Sequence, residues 1–166
     1  MTAGITRELV VPTADDMRAI GAAIGSTCRG ADVLVLTGDL GAGKTTFTQG
    51  LAVGLGIDER VTSPTFVISR VHVNPSGAPD LVHVDAYRVG SALELDDLDL
   101  DADLATSVVV VEWGGGLAER LSEQRLDIAI TRSDDDADEA RVVRVTPHGA
   151  RWQEAVAGDL LVQWAR

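Results

Sequence analysis

Gly38, Gly43, Lys44 and Thr45 stand at the spacing G-x-x-x-x-G-K-[ST], inside the stretch VLVLTGDLGAGKTTFTQG. Those residue types in that order suit the holding of a triphosphate. Several N–H donors must converge on the phosphate oxygens, and glycine lets a backbone come that close while it turns from strand into helix. Gly38, Gly41 and Gly43 supply that freedom. Lys44 is the only lysine among 14 basic residues, all the others being arginine. A compact ammonium on a flexible stem reaches the β- and γ-phosphates inside a closed loop where the broad guanidinium fork would not fit. Thr45 offers a hydroxyl to Mg²⁺, which binds through few protein ligands and keeps several waters. Thr46 adds a hydroxyl or N–H toward the α-phosphate.

A phosphate loop also needs an acid that steers the metal or polarises water, and such an acid sits at the carboxyl end of a neighbouring strand. Asp85 closes LVHVD and Glu112 closes VVVVE, so both are candidates. Thr65, in VTSPTF, could close on the γ-phosphate as a switch loop does, with Pro64 stiffening the approach. Spacing alone fits a plain turn there equally well. Arg60, Arg70 and Arg88 are either phosphate clamps or surface residues, and spacing does not choose among them.

These residues need a scaffold. DVLVLTG is a continuous apolar run ending in glycine, as expected of a strand buried on both faces of a parallel sheet. TTFTQGLAVGLG reads as the following helix, weakened by internal glycines and ended by Gly54 or Gly56. Ahead of them, TRELVVP predicts a strand and TADDMRAIGAAIGSTCRG a helix, with Thr13 and Asp16 at capping-box spacing and Met17, Ile20 and Ile24 on one face. FVISRVHV and LVHVDAYRV predict a hairpin around NPSGAPD. SALELDDLDLDADLATS suits short surface helices, VVVVEW a buried strand and GGGLAERLSEQ a short helix. RLDIAI and RVVRV form a second hairpin around the acidic TRSDDDADEA, a solvated tip. Trp152, Val156, Leu160 and Trp164 recur every fourth residue and predict one helical face covering the sheet.

The fold class that follows is α/β: a single P-loop NTPase-like domain over residues 1–166, with a central mixed, largely parallel sheet flanked by helices and carrying β-hairpins. A chain of 166 residues, 45% hydrophobic and 24% charged, is of the size and composition for one such core. Its formal charge of −12 repels a phosphate backbone, so strong direct nucleic-acid binding is not expected. Cys28 has no partner for a disulfide, and His72, His83 and His148 are scattered, which suits structural or exposed histidines. Neither a signal peptide nor a membrane-spanning run is visible, and a cytoplasmic location is expected.

The ordered set GDLGAGKTTF, VTSPTF, HVDAYR, an acidic leucine-rich stretch and VVEW resembles the TsaE (YjeE) family of bacterial ATPases, from about Thr13 to Arg144. The resemblance implies a small P-loop fold that binds ATP or ADP with Mg²⁺. It implies work with the TsaB and TsaD proteins in making N6-threonylcarbamoyladenosine (t6A) beside the anticodon of tRNAs reading A-starting codons. TsaD performs the transfer, and tRNA is met only through the complex. Carried onto this sequence, it assigns the nucleotide to Gly38, Asp39, Gly41, Ala42, Gly43, Lys44, Thr45, Thr46 and Thr65, the metal to Thr45 and Glu112, and catalysis to Lys44, Asp85 and Glu112. Trp113 would lie beside the site. The chain departs from the family pattern after Glu112–Trp113, where Gly114, Gly115 and Gly116 follow, and in lacking a proline before RLDIAI. Two rival readings share the loop: a small-molecule kinase, which would want a basic lid, and a nucleotide-gated interaction module with incidental hydrolysis. A guanine-specific switch is disfavoured, because its base-reading motif needs a second lysine.

Overall fold

In the computed structural model the described residues are 4–62, 69–77, 79–86, 104–113, 121–135 and 137–165. Their strands are β1 (Arg7–Val11), β2 (Val33–Thr37), β3 (Ser69–His72), β4 (Asp80–Asp85), β5 (Ser107–Glu112), β6 (Arg125–Arg132) and β7 (Arg141–His148). The helices are α1 (Ala14–Gly25), α2 (Lys44–Leu55) and α3 (Ala150–Ala157), with 3₁₀ turns at Leu104–Thr106 and Asp159–Trp164. The capping box starts α1: Asp16 N–H donates to Thr13 Oγ1 at 3.2 Å and Thr13 N–H donates to Asp16 Oδ2 at 3.1 Å.

The strands form one sheet in the order β1-β7-β6-β2-β5-β4-β3. Its middle, β6-β2-β5-β4, is parallel, and antiparallel pairs with β7, β1 and β3 finish the two margins. The mixed sheet expected from the sequence is therefore present, with its parallel strands in the middle. Register then does the positioning. Glu112 lies opposite Leu36 on one side and Asp85 on the other, so β2, β5 and β4 end at a common edge. The loop after Thr37 leaves from that edge.

Strict alternation splits the central strands between two cores. Leu34, Leu36, Leu81, Val108, Val110, Leu126 and Ile128 pack with α1 and α2, whereas Val33, Val35, Val82, Val84, Val109 and Val111 face the opposite side with Leu104 and Leu121. Burial of both faces is why these segments read as unbroken apolar runs.

The glycines inside α2 do not mark a weak helix. A Cβ on Gly50 would lie 2.1 Å from the carbonyl oxygen of Arg18, and one on Gly54 would lie 2.2 Å from that of Ala22. Reciprocally, a Cβ on Gly21 would run into the Phe47 carbonyl oxygen and one on Gly25 into that of Leu51. Two four-spaced glycine pairs thus let α1 and α2 touch backbone to backbone. Gly50→Ala is expected to lower the urea midpoint, because overpacking costs about 1–3 kcal/mol and outweighs the ~1 kcal/mol that alanine brings to a helix interior. An unchanged or raised midpoint would show that the helices part at no cost. The helix ends at Gly56, at φ 90°, where the Ile57 N–H donates to the Ala52 carbonyl.

One expectation needs correction. The last segment is not a single helix: α3 stops at Gly158, whose backbone is extended, and a 3₁₀ turn follows. Trp152 and Val156 are buried as expected, but beyond the break Leu161 takes the fully buried position while Leu160 and Trp164 are only partly covered. Glycine followed by aspartate breaks the four-residue repeat. Most of the acidic leucine-rich stretch 91–107 and of the short helix expected over 114–124 lies outside the described residues; of the described remainder, Leu104–Thr106 is a 3₁₀ turn, Ser107 opens β5, and residues 121–124 are not helical.

Candidate functional site

Past Thr37 the chain turns through Gly38 at φ 153°, Gly41 at φ 76° and Gly43 at φ 118°. A side chain at Gly38 would meet the Ile130 carbonyl oxygen at 2.6 Å, so this turn accepts glycine on steric grounds as well as conformational ones. The loop closes through Ala42 N–H donating to the Asp39 carbonyl at 3.0 Å. The helix α2 starts at Lys44 with a glycine at its cap that offers no side chain to the first-turn amides. The first bond of the turn runs from Phe47 N–H to Gly43 O, leaving the Lys44, Thr45 and Thr46 amides without intrahelical acceptors. The result is a concave set of amides at the positive end of a helix.

Lys44 is buried within this turn. Its Nζ donates to the carbonyls of Gly38 at 2.8 Å and Asp39 at 3.0 Å, and it lies 4.0 Å from the centre of the Trp113 ring. Burial pushes its pKa below the ordinary lysine value, and the carboxylates of Glu112, Asp85 and Asp39 oppose that shift. Trp113 itself sits at φ 61°, a left-handed backbone rare for an aromatic, with its N–H donating to the Leu36 carbonyl at 2.9 Å.

Two buried acids face the loop from the neighbouring strands. Asp85 and Glu112 are 4% and 3% exposed and stand side by side in the register of β4 and β5. Thr45 Oγ1 lies 3.4 Å from Glu112 Oε1, a contact spanning 67 residues of sequence. His83, fully buried on β4, reaches the same Oε1 with its Nε2 at 2.9 Å. Behind the loop, a cavity of about 140 Å³ lies between the start of α1 and the start of β7, lined by Thr13, Met17, Ala42, Thr46, Glu139 and Arg141 among others. Arg141 ties that wall together: Nε donates to the Ala42 carbonyl at 3.1 Å, and Nη1 donates to those of Glu139 and Ala140 at 2.8 and 3.1 Å.

The donor chemistry fits a nucleotide with Mg²⁺. A hydroxyl and a carboxylate are hard oxygen donors and few in number, as an ion requires that keeps water and phosphate in its shell. A Cβ at Gly38 would spoil the form of the glycine cradle, and successive backbone amides in such a turn are the donors that phosphate oxygens need.

A family model described as "Threonylcarbamoyl adenosine biosynthesis protein TsaE" matches residues 11–142. This chain belongs to the TsaE family. A relative from Streptomyces coelicolor, called tRNA threonylcarbamoyladenosine biosynthesis protein TsaE, is 53% identical over 141 residues, covering 84% of this chain and 95% of the relative. Proteins of the same description from Mycobacterium tuberculosis and Bacillus subtilis are 47% and 41% identical, covering 80% and 84% of this chain and 82% and 84% of the relatives. The crystal structure of Bacillus subtilis YdiB matches the fold with a TM-score of 0.78 at 32% identity, over 98% of this chain and 99% of that one.

This TsaE-family chain brings most of the residues singled out in the sequence to one edge. Gly38, Asp39, Gly41, Ala42, Gly43, Lys44, Thr45 and Thr46 make the turn and the helix start, and Asp85, Glu112 and Trp113 flank it. Thr65 and Arg88 lie outside the described residues. Arg60 is exposed, and Arg70 donates to Thr62 Oγ1 at 3.2 Å. Two residues in contact with this edge carry no such expectation from the sequence. His83 is neither exposed nor remote: it contacts Glu112, and the signal was the two-residue spacing in HVD, which puts it on the face of β4 that carries Asp85. For Arg141 the sequence holds no such signal, since its contact with Ala42 spans 99 residues.

No helix among the described residues is long and apolar enough to cross a membrane.

Proposed function

We propose that this chain is an ATP-binding and ATP-hydrolysing subunit for t6A modification of tRNA, acting with TsaB and TsaD. The observation that carries the nucleotide part is the convergence of Lys44, Thr45, Asp85 and Glu112 on the glycine turn where β2 becomes α2. The biosynthetic part is supported by the TsaE family and by its relatives' names. TsaB and TsaD enter through the family resemblance alone.

In this reading the amides of Gly41 to Thr46 receive the phosphates, that of Ala42 on leaving the Asp39 carbonyl, and Lys44 swings from the Gly38 and Asp39 carbonyls to the β- and γ-oxygens. Thr45 and Glu112 would hold Mg²⁺, which would supply neutralisation of the phosphate charge. Asp85, beside Glu112, orients the attacking water. The cavity behind the loop, apolar at Met17 and polar at Thr13, suits the base. The net charge of −12 fits a subunit that leaves tRNA to its partners.

Phosphate release by the purified chain alone, with TsaB and TsaD, and with tRNA added tests the proposal. Turnover is expected to be weak alone and to rise with the partners. A rate indifferent to TsaB and TsaD would count against the complex-dependent part, and a γ-phosphoryl found on a small hydroxyl compound would favour a kinase.

A further inference from the structure

His83 stands in the middle of β4, opposite Val110 on β5, while Glu112 follows two residues later on the same face of β5. Its imidazole is wholly buried and approaches Glu112 Oε1 at 2.9 Å; the carboxylate side chain is 4% exposed. Packing does not explain a histidine here. Its Nδ1 has no hydrogen-bond partner among the described residues, and a buried polar atom without one is costly, whereas leucine or valine would fill an interior strand position at no such cost. The Nε2 contact is the compensating interaction.

Resting on the nucleotide reading above, we propose that His83 is the positioning residue of Glu112: it donates Nε2–H to Oε1 and fixes the carboxylate rotamer before metal and nucleotide arrive. A glutamate has several rotatable bonds, and ordering it at the moment of binding would weaken every contact it then makes. Strand β4 holds the imidazole rigidly, so the ordering is already complete in the folded chain. With Oε1 engaged by His83 and approached by Thr45, Oε2 is left for metal and water. Partners of this kind behind a metal ligand change metal affinity or activity about 10- to 100-fold when removed.

Three variants test this, each read by ADP affinity in EDTA, by Mn²⁺ affinity in the presence of ADP through electron paramagnetic resonance, and by ATP turnover. His83→Leu keeps bulk but has no donor. It is expected to bind ADP without metal as the parent does, while Mn²⁺ affinity and turnover fall about 10- to 100-fold. His83→Gln places an amide N–H near the position of Nε2 and is expected to recover most of both. His83→Asn ends near the position of Nδ1 and is expected to behave like the leucine variant. Should His83→Leu fail to fold, the glutamine and asparagine variants decide the matter. Parental Mn²⁺ affinity in a folded leucine or asparagine variant overturns the proposal, as does a glutamine variant no better than asparagine. If the unmodified chain binds neither ADP nor Mn²⁺, the nucleotide reading falls and takes this one with it; if it binds both and ignores these changes, only this inference is lost.

Discussion

Lys44→Ala is expected to weaken ATP binding about 100-fold or more while leaving the fold intact. The magnitude follows from its contacts: hydrogen bonds between charged groups are worth about 1.5–3 kcal/mol each, and about 1.4 kcal/mol corresponds to a tenfold change in affinity. An ammonium that reaches both the β- and γ-phosphates loses at least two of them. The fold should survive because burial, the largest influence on the ammonium, disfavours its charge. The sign is that of a cation whose folded pKa lies below its unfolded one. The unfolded chain then binds the proton more tightly, so at neutral pH the charge is a burden on folding, relieved as pH rises through the folded pKa. Lys44→Arg should not restore binding, since Nζ makes a point contact between two loop carbonyls at 2.8 and 3.0 Å that a broad planar fork does not reproduce. Calorimetric titration with ATP and thermal unfolding check the two halves separately. Near-parental affinity in the alanine variant would remove Lys44 from the phosphate site.

What the sequence disclosed about this site, and what it withheld, follow from the range of the interactions. The glycine turn and Lys44 were legible because the work is local: donors, conformational freedom and charge all come from residues within one strand-to-helix turn. Asp85 and Glu112 were legible as strand ends but not as neighbours, since only the parallel register of β4 and β5 sets them side by side. His83 was hidden for a related reason. In a strand buried on both faces the alternation that would pair it with Asp85 is masked by the valines on either side of it, Val82 and Val84. The use of the glycines in α2 is not legible from propensity, which concerns one helix, because it lies in the second helix packed against them. At Gly158 the reverse holds: the repeat of four predicts one continuous helix, but the local breaker ends it.

Glu112→Gln isolates charge from shape. The amide oxygen can still accept from His83 Nε2–H and the side chain keeps its length, so the carboxylate's rotamer and the packing of β5 are retained. What is lost is a negative charge beside Thr45. ATP affinity without metal should hold or improve, because the site sets one ammonium against the carboxylates of Asp39, Asp85 and Glu112, which repel a triphosphate. Mg²⁺-dependent turnover is expected to fall by about 10- to 100-fold, since a charge-assisted contact is worth about 1.5–3 kcal/mol and about 1.4 kcal/mol is a factor of ten. The same substitution at the adjacent carboxylate, Asp85→Asn, separates the two roles. If Glu112 holds the metal and Asp85 the water, the glutamine variant loses Mn²⁺ affinity together with turnover, whereas the asparagine variant loses turnover at preserved Mn²⁺ affinity. The opposite pattern would exchange the assignments, and hydrolysis undiminished in Glu112→Gln with Mg²⁺ present would remove Glu112 from the chemistry. The comparison is decisive because the two acids are equally buried and matched in register. Exposure and strand position being alike, a difference between the variants must come from what each oxygen faces.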